Sequence, residues 1–92
     1  MAESSARALP PVTFSSFIIS LAHTALVHLG EVLEPGASES AVDLSLAQHT
    51  IDAIGVLEAK TLGNLDADEA KLLSSVLDEL RLKFVEVSQR KR

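Results

Sequence analysis

From Val12 to Gly30 the chain reads VTFSSFIISLAHTALVHLG, and its apolar residues do not keep to one side of a helix. On a helical wheel Phe14, Phe17, Ile18, Leu21, Ala25 and Leu29 form one stripe, while Ile19, Ala22, Leu26 and Val27 fill much of the remainder. Ser16, Ser20, His23, Thr24 and Glu31 leave only a narrow strip for water. A helix of this kind must be wrapped on more than one side.

The rest of the chain has little with which to wrap it. At 92 residues there is room for one domain, which as a monomer buries about three fifths of its unfolded surface. A hydrophobic content of 47% and a mean hydropathy of +0.25 argue for an ordered chain. Aromatics make up only 3%, all of them Phe, so the core is aliphatic and there is no stacking platform for single-stranded nucleic acid. The net charge of −5 repels phosphate backbones. Without cysteine there are no disulfides, no thiol catalysis and no thiolate metal sites. Read as a bilayer span, the apolar stretch is at the short limit, about 18 residues, and carries several polar side chains. The preceding MAESSARALPP, with Glu3 and two prolines, does not read as a secretory leader. The expectation is a cytoplasmic protein with no membrane span and no nucleic-acid partner.

In chain order, residues 1–8 are small and polar and are expected to form a disordered tail. A single helical domain is expected over 9–88, with helices at about 13–32, 42–61 and 66–88, followed by a basic tail at 89–92. Pro10 and Pro11 stiffen the approach to the first helix. Thr13 is its N-cap, with Val12 against Phe17 as a hydrophobic staple, and Gly30 and the Glu34–Pro35–Gly36 turn bracket its end. GASESA, residues 36–41, is a short loop. The second helix is amphipathic, with Leu46, Ala47, Ile51, Ala53, Ile54 and Leu57 on its apolar side. Gly63 and Asn64 can each adopt a left-handed conformation and stop it. Asp66 and Glu69 have the spacing of a capping box. Ala70, Leu73, Leu77, Leu80, Phe84 and Val87 then hold a heptad seam, with Leu72, Val76, Leu82 and Val85 off it. Glu79–Lys83 and Glu86–Arg90 are i,i+4 pairs, each worth a few tenths of a kcal/mol. Sustained strand alternation is absent.

Candidate sites reduce to few. His23 and His28 are five apart and point about 140° away from each other on a helix, so they do not chelate together. Ser16, Ser20 and His23 share a face, but no strained elbow or glycine-rich oxyanion hole accompanies them, and the two serines read as small packing positions. The scattered glycines form no phosphate cradle. Asp78 and Glu79 are sequence neighbours pointing apart. No catalytic residue, metal ligand or cofactor is assigned.

The fold expected from these patterns is all-α: a helical hairpin plus a long apolar N-terminal helix, completing its core by homo-oligomerisation, with a dimer favoured. Phe14, Phe17, Ile18, Leu21, Leu72, Val76, Leu80 and Phe84 are the expected interface. The function expected is a non-enzymatic, self-associating scaffold or regulatory module. The alternative is a subunit that docks onto a larger complex through Leu72, Leu82 and Val85. A third reading, metal binding or catalysis through His23 with Glu31 or His49 with Asp52, has less behind it.

Several short runs together resemble one bacterial family of unknown function, the 1844 family. They are LPPVTF at Leu9 to Phe14, LGE at Leu29 to Glu31, AQHTID at Ala47 to Asp52, KTLGNL at Lys60 to Leu65, Glu69, and LDELR at Leu77 to Arg81. The resemblance spans about Leu9 to Arg81. It implies a short, mostly helical cytoplasmic protein with no established activity, and it carries over no catalytic residue. On this resemblance Thr13, Gly63, Asn64 and Glu69 are caps and turns.

Overall fold

A computed structural model describes residues 9–90; the expected tail at 1–8 and the last two residues of the basic tail lie outside them. Three α-helices follow in order, α1 Phe14–His28, α2 Leu44–Lys60 and α3 Ala67–Arg90, and among the described residues there is no strand. Each helix packs against both of the others.

The helix starts follow the local chemistry. Thr13 and Ser16 satisfy one another: the Ser16 amide donates to Thr13 Oγ1 and the Thr13 amide donates to Ser16 Oγ, both at 3.0 Å. Asp43 caps α2, its carboxylate accepting from the Leu46 amide at 3.0 Å. At α3 the expected capping box is present, with the Glu69 amide donating to Asp66 Oδ1 at 2.8 Å and the Asp66 amide donating to Glu69 Oε1 at 3.0 Å. Each cap satisfies amides that the first helical turn leaves without partners. The staple does not form, because Val12 remains 87% exposed.

α1 ends earlier than the apolar run suggests. Gly30, at φ +77°, donates to the Val27 carbonyl, and the Glu31 amide donates to the Leu26 carbonyl. This paired arrangement is a Schellman stop. It turns the chain out at Leu29, so the expected helix over 13–32 is corrected to Phe14–His28 and the connection to α2 runs over residues 29–43. The Asp43 amide donates to the His28 carbonyl at 2.8 Å, tying the end of α1 to the start of α2. Between α2 and α3, Gly63 alone takes the left-handed conformation, and Asn64 does not.

The main core joins Ile18 and Ala25 of α1, Ile51 and Ile54 of α2, and Leu73, Leu77 and Leu80 of α3. A smaller cluster of Leu29, Ala47 and Val87 closes the other end, and half-buried Phe84 packs against both. Among the described residues no polar side chain is buried. The heptad seam of α3 is thus consumed within the protomer from Leu73 onward, while Ala70 stays exposed. Each fully buried leucine or isoleucine contributes about 1.5–3 kcal/mol, and the two clusters are small, so the margin of one copy alone is modest.

Candidate interaction surface between the first and third helices

On α1, Ala22 and Leu26 are half-buried, and on α3, Val76 is half-buried while Leu82 is exposed. Together with Leu80, Glu79, Lys83 and Glu86 they line an open groove of about 360 Å³ between the two helices. Ile19 precedes Ala22 by three residues and Leu26 by seven, on the same flank of α1, and is 55% exposed. The floor is aliphatic and the α3 rim is charged, the distribution found where an apolar contact is framed by polar groups.

One end of the α3 rim is held by the connection after α1. Glu31 accepts from Arg90 Nη2 at 3.1 Å and lies 3.5 Å from Lys83 Nζ. The hydrogen bond from Arg90 and the charge of Lys83 hold the Glu31 carboxyl below its ordinary range. Among the described residues these are the only two ion pairs, so the expected pairing of Lys83 with Glu79 and of Arg90 with Glu86 is corrected. Both cations turn toward a carboxylate from another part of the chain.

Of the eight residues expected at an oligomer interface, six gather in or against the protomer's own core, and two of those, Val76 and Leu80, also line the groove. Ile18 and Leu80 are closed off in the protomer's own core, at 0% and 3% exposure. Phe14, Leu21, Val76 and Phe84 are half-buried and pack against that core. Phe17 is exposed but lies about 140° around α1 from Ala22, away from the groove. Leu72 is half-buried on the Val76 flank of α3. Ile19, Ala22, Leu26 and Leu82 complete the open face instead. Their signal in the sequence was their position outside the main stripes, which marks apolar area that the helix's own neighbours do not cover.

The polar candidates of α1 have local roles. Ser16 serves the cap, Ser20 Oγ donates to the Ser16 carbonyl at 3.1 Å, and Thr24 Oγ1 donates to the Ser20 carbonyl at 3.2 Å. Ser16 and Ser20 are exposed rather than packed against a neighbouring helix, correcting their reading as close-approach positions. Asp52 accepts from Gln48 Nε2 at 2.7 Å, and Glu31 is engaged by its two cations. Among the described residues no three His, Asp or Glu side chains gather in a metal-binding arrangement, and no helix is long and apolar enough to cross a membrane.

No curated protein and no solved structure matches the chain. The family model described as a domain of unknown function, DUF1844, matches residues 11–86. That span takes in the caps, all but the end of α3, and every residue lining the groove. The chain belongs to the DUF1844 family.

Proposed function

We propose that the protein is a non-enzymatic helical scaffold or regulatory module that acts in the bacterial cytoplasm as a homo-oligomer, with a dimer favoured, associating through the face shared by α1 and α3. The observation that carries this reading is the aliphatic groove with a charged rim, flanked by Ile19 and Leu82 at 55% and 60% exposure. Covering that face completes a core that the protomer leaves small, and one self-complementary patch is enough for a two-fold dimer. Ile19→Lys tests it, with Val56→Lys, on the exposed surface of α2, as the control. The expected result is a lower mass in solution for Ile19→Lys only, with helix content unchanged in both. An unchanged mass for Ile19→Lys contradicts the reading.

A second reading, docking onto a larger bacterial protein, is favoured by exposed apolar residues away from the groove: Leu46 and Val56 on α2 and Val85 on α3. It calls for a monomer or loose dimer that gains order with its partner.

A further inference from the structure

Beside the buried seam of α3 runs a second stripe with the same alternating four- and three-residue spacing: Leu72, Val76, Glu79, Lys83, Glu86 and Arg90. Its central members Val76, Glu79, Lys83 and Glu86 line the groove. Its positions are symmetric about residue 81, so reversing the helix maps Glu79 onto Lys83, Val76 onto Glu86, and Leu72 onto Arg90.

We propose that a second copy of this chain occupies the groove with its α3 antiparallel to the first, each Glu79 facing the other copy's Lys83. The inference rests on the self-association reading and adds its geometry. Charge complementarity selects the direction. A parallel, in-register pair sets Glu79, Lys83, Glu86 and Arg90 each against its own equivalent, four like-charge contacts that oppose association. The antiparallel pair replaces them with two opposite-charge contacts, sets Glu86 against Val76, and lays the stem of Arg90 over Leu72 with its guanidinium free to reach water. Lys83 and Arg90 remain accessible despite their contacts with Glu31, with side chains 43% and 66% exposed. Ile19, Ala22 and Leu26 then flank the incoming helix from α1.

The test is a charge-swap series followed by sedimentation equilibrium. Glu79→Lys alone and Lys83→Glu alone each turn two attractions into two repulsions and are expected to weaken association roughly tenfold. The double variant Glu79→Lys/Lys83→Glu restores both pairs across the interface, and an equimolar mixture of the two single variants forms a heterodimer with both pairs restored. Recovery in the double variant separates the contact between copies from the local contact of Lys83 with Glu31, which stays broken in it. If wild type associates while neither single variant weakens it, or the double variant fails to recover, the antiparallel arrangement is wrong and self-association stands. A wild-type monomer at all concentrations overturns both.

Discussion

Arg90, at the end of α3, donates a 3.1 Å hydrogen bond to Glu31, which lies 59 residues earlier at the stop of α1. Lys83, which lines the groove, approaches the same carboxylate. The exit of α1 is thus tied to the flank of α3, and the rim of the candidate surface is oriented by a contact within the protomer.

The lowered pKa of Glu31 fixes the sign of a pH effect. A carboxyl depressed on folding contributes stability that is present above its unfolded value, about 4.3 for Glu, and is lost as pH falls through the folded value. The contact is exposed and salt-screened. Glu31→Gln is expected to be slightly less stable than wild type at pH 7 in low salt. The gap in urea midpoint should narrow as pH falls below about 4.3, close once pH is below the folded value, and shrink in high salt. A gap that persists at low pH assigns the effect to something other than the carboxylate charge.

Gly30 is required twice over. Its backbone is left-handed, and a Cβ there meets Val42 Cγ2 at 2.8 Å. Gly30→Ala is expected to cost about 1–2 kcal/mol from the backbone alone, and more from the clash. Adding Val42→Ala should recover only the steric share. Denaturant melts of the single and double variants at one protein concentration check this.

Gly55 behaves in the opposite sense. It lies inside α2 without a positive φ, and a Cβ there meets only Arg81 Nη2, at an ordinary 3.5 Å. Gly55→Ala is expected to stabilise the protein by about 0.5–1 kcal/mol, read as a raised thermal midpoint. A loss of stability would show that the guanidinium cannot shift from its position over the glycine.

Leu77 is 1% exposed at the centre of the main core. Leu77→Ala is expected to cost roughly 3 kcal/mol through lost burial and the cavity left behind. Leu82→Ala, at an exposed position lining the groove, should leave the stability of a dilute protomer nearly unchanged. Comparing the two by urea titration at nanomolar protein separates the closed core from the open face.

Where a structural feature depends on neighbours within a few residues, the sequence shows it. The Thr13 cap, the Asp66–Glu69 box and the seam of Leu73, Leu77, Leu80 and Val87 follow from spacing and side-chain chemistry. The sequence only brackets the end of α1 between Gly30 and the Glu34–Pro35–Gly36 turn, whereas the Gly30 and Glu31 amides stop the helix at the backbone level. Lys83 and Arg90 were paired with residues four positions away, since the approach of Glu31 arises only when α1 and α3 pack. Which apolar side chains stay open depends on packing in the same way. Ile18 and Ile19 are identical side chains one residue apart, and only helix packing determines that Ile18 is sealed inside while Ile19 stays 55% exposed.

The absolute mass in solution, measured by light scattering on a sizing column from micromolar to nanomolar protein, tests self-association most directly. The account predicts a stable multiple of 9.8 kDa, twice that mass if the pairing proposed for α3 is correct, with a thermal midpoint that rises with protein concentration. A mass of 9.8 kDa at every concentration, with cooperative unfolding independent of concentration, would contradict it and leave the α1–α3 face to a different partner.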